Sequence, residues 1–147
     1  MLTSGFVSAR ITFKRTIVLS TLAAGCALVI LSHCQTLTGI RAALFGLGLA
    51  SGLYLPAALA TITQMVAPSF WGRGIAVHEL APNLGFIIAP LVCGLMVEWS
   101  TWRHGIEVIG FALIVMAGLY GLRGRGGEGR GTPPDLAVFR VFLAMPQ

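Results

Sequence analysis

The sequence predicts an all-α integral membrane protein with four transmembrane helices, and three observations lead there. First, 56% of the 147 side chains are hydrophobic and 10% are charged, which leaves too little polar surface to cover a soluble globule. Second, four apolar runs each reach the roughly 20 residues that a helix needs to cross a bilayer. Third, the segment 81–94 holds Pro82 and Pro90 within one apolar stretch, with Ala81, Gly85, Ala89 and Cys93 spaced four apart. Inside a membrane, neighbouring helices accommodate such prolines, and a four-residue ladder of small side chains lets a second helix approach closely.

The first span is expected over about 16–33. Three further apolar runs follow it, so it reads as a mature span and not as a secretory signal. The second, about 39–66, is long enough to tilt or to project past the bilayer, and Gly48, Gly52, Pro56 and Ala60 give it a small-residue face. The third, about 74–98, contains the proline-bearing segment, and the fourth covers about 104–122. Beyond it, 123–134 is a Gly- and Arg-rich stretch expected to be a flexible linker, and 135–147 is a short apolar tail. Arg10, Lys14 and Arg15 precede the first helix, Arg73 lies between the second and third, and Arg123, Arg125 and Arg130 follow the fourth. The positive-inside rule then places both termini and the 67–73 loop in the cytoplasm of a plasma or inner membrane.

The ten Lys and Arg residues, within a net charge of +5, lie between apolar runs, so lipid headgroups and not nucleic acid are the expected counter-charge. Cys26, Cys34 and Cys93 lack metal-ligand spacing. There is no Gly-rich phosphate loop, no metal-spaced His or Cys group and no serine on a nucleophile turn, so neither an enzyme nor a cofactor or metal site is expected. The remaining candidates are polar residues in the spans, where one buried charge costs about 2.5 to 3.5 kcal/mol. Arg41 either faces an aqueous cavity or snorkels to headgroups. His78 and Glu79 either relay protons or place a carboxylate near a helix N-terminus. Asn83 either satisfies backbone groups loosened by Pro82 or contacts a solute, and Tyr54, mid-span, carries the same ambiguity. His104 and Glu107 are expected at the interface.

In this order the pieces resemble a known family. Arg41 with Gly46, Gly48 and Gly52 leads into Leu55-Pro56-Ala57-Ala58, then Trp71-Gly72-Arg73-Gly74, then Gly85, Ala89-Pro90 and Cys93-Gly94, then Trp102-Arg103. The series resembles helices four, five and six of the major facilitator superfamily of secondary transporters. The resemblance implies a coupling or substrate-linked role for Arg41 and an antiporter-like packing motif at Gly85, Pro90 and Gly94, with Ala76, Ala89 and Cys93 in glycine slots. Gly5, Arg10, Lys14 and Arg15 are similar to the family's cytoplasmic loop between helices two and three, with Ala9 in the aspartate position and Thr12 in the glycine position.

The resemblance implies transport of small solutes or drugs by proton-coupled alternating access. Against the family's twelve helices, the chain matches three to six, so a partial form with little activity alone is expected, completed by a missing half or by further copies. A small dimeric four-helix exporter and a non-transporting subunit packed through its glycine faces are the alternatives; the exporter would need an acidic residue in 16–33, which has none.

Overall fold

A computed structural model describes residues 10–130. Among the described residues four long helices run up and down: α1 (Phe13–His33), α2 (Leu37–Met65), α3 (Trp71–Trp99) and α4 (Trp102–Arg123), with a 3₁₀ turn at Pro68–Phe70 between α2 and α3. All four are long and apolar enough to cross a membrane. Each begins two or three residues before its apolar run. The Thr12 hydroxyl accepts the Arg15 N–H at 3.4 Å and the Thr36 hydroxyl accepts the Gly39 N–H at 3.2 Å, so threonine caps open α1 and α2. The α2–α3 turn is tied by the Trp71 indole, which donates to the Val66 carbonyl at 2.9 Å, while the Arg73 guanidinium lies 5.6 Å from the Phe70 ring centroid.

Helix α1 is the centre of the bundle and packs along both α4 and α2. Its buried side is Phe13, Thr16, Ser20, Ala24, Gly25, Leu31 and Ser32, mostly small residues that let the partner backbones come near. The closest approach is at Gly25 and Gly110: a Cβ on Gly25 would lie 2.8 Å from the Gly110 carbonyl oxygen and 2.8 Å from Ile114 Cγ1. Hydroxyls in this seam bond to their own helix, Ser20 to the Ile17 carbonyl at 2.9 Å and Ser32 to the Val29 carbonyl at 2.7 Å. Packing is therefore gained without leaving a buried donor unpaired.

On α2 the buried positions are Ala43, Ala50, Ala57, Ala58 and Thr61, the first three spaced by seven. The expected glycine face is turned elsewhere: a Cβ at Gly46, Gly48 or Gly52 would meet nothing within 4 Å. Pro56 is half-buried beside the alanine row. The same openness holds for Gly85 and Gly94 on α3, and Ala89 and Pro90 are exposed. No α3 residue whose burial is described is buried. The helix rests on its neighbours near its ends, Gly74 against Ile62 of α2 and Gly105 of α4 against Met96. The alanine seam was not the pattern singled out in the sequence, because glycine and alanine ladders carry equal close-packing potential and only the chain path decides which is used.

Both ends of the α1–α4 pair are clamped. At one end Arg103 of α4 donates to the carbonyls of Ser32 at 2.8 Å and Cys34 at 2.6 Å, satisfying acceptors left free where α1 stops. The Arg103 guanidinium also lies 4.7 Å from the Trp102 ring centroid, and His33 approaches Glu107 at 3.9 Å. At the other end residues 124–130, expected to be a flexible linker, are instead bound to the bundle: the Gly129 carbonyl accepts the Phe13 N–H at 3.0 Å and the Gly127 carbonyl accepts the Lys14 N–H at 2.8 Å. Free first-turn amides of α1 supply the reason, since they need acceptors that a glycine-rich chain can bring close. The expected motif residues before Arg10 and the apolar tail 135–147 lie outside the described residues.

Gly25→Leu is expected to lower stability by about 1–3 kcal/mol or more, since its Cβ must displace the Gly110 backbone. Gly48→Ala, in open space, is expected to be neutral or to gain up to about 1 kcal/mol from helix propensity. Thermal unfolding of the purified chain in detergent compares the two, and equal losses would contradict the packing described.

Candidate functional site

Between the four helices lies a cavity of about 570 Å³. α1 contributes Ser20, Thr21 and Ala24 among others, α2 contributes Ser51, Tyr54, Ala58 and Thr61, α3 contributes His78, and α4 contributes Met116, Ala117 and Tyr120. The small residues that let α1 meet its neighbours also keep this space open, because their side chains are too short to fill it. Most of the wall is apolar, and its polar groups are hydroxyls and one imidazole. The Thr61 hydroxyl donates to the Ala57 carbonyl at 2.8 Å, and Ser20 is likewise bound to its own helix. Each keeps acceptor capacity only. Thr21, Ser51, Tyr54, Tyr120 and His78 are the groups left to donate.

Tyr54 and His78 form a pair across the cavity. Their rings stack with centroids 6.0 Å apart and planes inclined by 24°, and the Tyr54 hydroxyl stands 3.5 Å from His78 Nε2. The imidazole is one turn beyond Gly74, where α3 leans on α2, so the turn at Pro68–Phe70 fixes its level. His78 Nδ1 is buried without a hydrogen-bond partner. Glu79 Oε1 lies 3.5 Å from that nitrogen, near enough for attraction when the ring is protonated but not aligned as a hydrogen bond. The arrangement can offer a solute two aromatic faces and a few hydrogen bonds.

Of the residues the sequence singled out, Tyr54 and His78 line the cavity and Glu79 stands beside it, on the exposed side of α3. Arg41 is exposed near the start of α2, about 15 Å along the axis from Ser51 at 1.5 Å per residue. Asn83 is exposed, and its amide donates to the Glu79 carbonyl at 2.6 Å, adjacent to the His78 carbonyl whose usual amide partner Pro82 lacks. Arg10, Lys14 and Arg15 gather at the start of α1, and Arg73 covers Phe70. Ser20, Thr61 and Tyr120 carried no expectation. Thr16, Ser20 and Ala24 are spaced by four in the same way as the α3 ladder, which was the available signal for the α1 seam. Among the described residues no group of three His, Cys, Asp or Glu side chains is placed to hold a metal.

No curated protein and no solved structure matches the chain. A family model described as Major Facilitator Superfamily matches residues 1–145, nearly the whole length, in agreement with the four apolar helices. The chain is thus an integral membrane protein that belongs to the major facilitator superfamily.

Proposed function

We propose that the chain takes part in moving a small, largely apolar solute across a plasma or inner membrane, with the four-helix cavity as its passage and His78 as its proton-linked group. The observation that carries this reading is the Tyr54–His78 pair, an ionisable contact set in a mostly apolar wall of a cavity in a superfamily member. Partly polar, mostly apolar sites suit drug-like molecules, and the aromatic faces of Tyr54 and Tyr120 favour a solute with a delocalised cation.

α3 is the moving element in this reading. It rests on α2 and α4 near its ends, and Tyr54–His78 is its polar contact over the cavity. Protonation puts a charge on a ring whose Nδ1 is buried, and Glu79 then becomes its nearest counter-ion. The balance between the Tyr54 contact and the Glu79 contact therefore depends on the proton, and α3 swings with it. Arg41 and Asn83 act at a distance from the passage, as an interfacial anchor and as support for the proline-weakened turn. The face holding the start of α1 and the end of α4 carries most of the basic residues and is assigned to the cytoplasm.

A second reading rests on the open small-residue positions Gly46, Gly48, Gly52, Gly85 and Gly94, which suit a partner helix. There the chain is a subunit that packs against another membrane protein or another copy.

In proteoliposomes under an imposed pH gradient, the full chain is expected to move the cationic dye ethidium. His78→Gln should abolish the response to the gradient, and Tyr54→Phe should reduce the rate by about tenfold, the equivalent of 1.4 kcal/mol. Gradient-driven transport unchanged in His78→Gln would remove the proton-linked role. A stoichiometric partner retained in mild detergent, lost on Gly48→Leu or Gly85→Leu and paired with absence of transport, would favour the second reading.

A further inference from the structure

Residues 124–130 form a strap across one end of the bundle. Gly126 and Gly127 have φ of 89° and 71°, left-handed values that side-chain-bearing residues rarely adopt, and these reverse the chain after α4. The reversal delivers the Gly127 and Gly129 carbonyls to the Lys14 and Phe13 amides. With the Arg15 amide on the Thr12 hydroxyl and the Thr16 amide on the Thr12 carbonyl, the whole first turn of α1 is satisfied. Gly127 is buried there, and a Cβ on it would lie 2.9 Å from both the Lys14 nitrogen and the Thr61 hydroxyl.

The strap also settles where charges go. It holds Arg125 and Arg130, both exposed, beside Lys14 and Arg15, at the end of the bundle that also bears Arg10 and Arg123. Glu128 is the single carboxylate in that stretch, and among the described residues none of the six cations forms an ion pair with a carboxylate. Cations gathered at one end of four membrane-length helices lie at the level of lipid headgroups. A guanidinium offers parallel N–H donors that match the oxygens of a phosphodiester.

We propose that the strap builds a docking site for the phosphate of an anionic phospholipid, with Arg125 and Arg130 as the gripping groups and Gly127 as the residue that positions them. A general basic surface would need only the charges. This site also needs the two backbone hydrogen bonds, because they bring the arginines to the α1 end.

The test uses the full chain in nanodiscs of phosphatidylcholine with a minority of phosphatidylglycerol, followed by mild detergent extraction and native mass spectrometry of retained lipid. Wild type is expected to retain phosphatidylglycerol several-fold over phosphatidylcholine. The double variant Arg125→Gln/Arg130→Gln should lose that preference with helical content unchanged by circular dichroism. Gly127→Val should lose it with all six cations present. Lys14→Pro removes the amide donor at a position where a first helical turn tolerates proline, and Lys14→Gln removes the same charge while keeping the amide. The proline variant should fall below the glutamine variant, which keeps the comparison meaningful even if Gly127→Val misfolds. Wild-type retention in the arginine double variant, or equal retention in the two Lys14 variants, would overturn the proposal. Displacement of the lipid by millimolar inorganic phosphate would identify a free-anion site and overturn the lipid assignment.

Discussion

The close approach of Gly25 and Gly110 is the contact on which the rest of the bundle depends. It sets the separation of α1 and α4, two helices not adjacent in sequence, at a value where backbone oxygen and α-carbon meet. In lipid, van der Waals packing of this kind holds helices together, since tails outside are as apolar as leucine inside. Once the two helices are that close, Arg103 can reach the end of α1 and the glycine strap can reach its start. Both clamps satisfy backbone groups that would otherwise be costly to leave unpaired near a membrane. The pair is consequently the most closely packed part of the described bundle, with α2 laid against it along a row of alanines.

α3 follows different physics. Pro82 and Pro90 interrupt its hydrogen-bond ladder, its residues are exposed along the span, and its neighbours hold it near its ends. An element with few packed contacts opens at low cost relative to a packed core. Such a helix lies over the cavity and meets α2 there through the Tyr54–His78 contact.

The number of helices and their membrane nature were legible because they follow from composition and from apolar run length, which need no partner. The superfamily resemblance was legible in the order of glycines, prolines and Trp71-Gly72-Arg73-Gly74, and the family match extends it over residues 1–145. Which small-residue ladder makes contact was not legible. Gly48 and Gly85 read as strongly as Ser20 and Ala24, and a one-dimensional period marks a face without naming the surface that covers it. The strap was hidden for a similar reason: glycine-rich sequence signals backbone freedom, and the amides that use that freedom lie more than a hundred residues earlier. Tyr54 and His78 were both found because polar side chains in apolar spans are conspicuous, whereas their pairing needed the fold to bring α2 and α3 together.

The central claim is that α1 and α4 move as one body while α3 moves against them in response to a proton. Pulsed electron spin resonance on nitroxide pairs at exposed positions, Leu19 with Leu119 and Leu19 with Leu84, measures both separations in the same reconstituted protein. The account predicts one narrow distance for the first pair at every pH, and for the second a distribution that shifts on acidification and ceases to shift in His78→Gln. A second pair that stays fixed while the first broadens would contradict it.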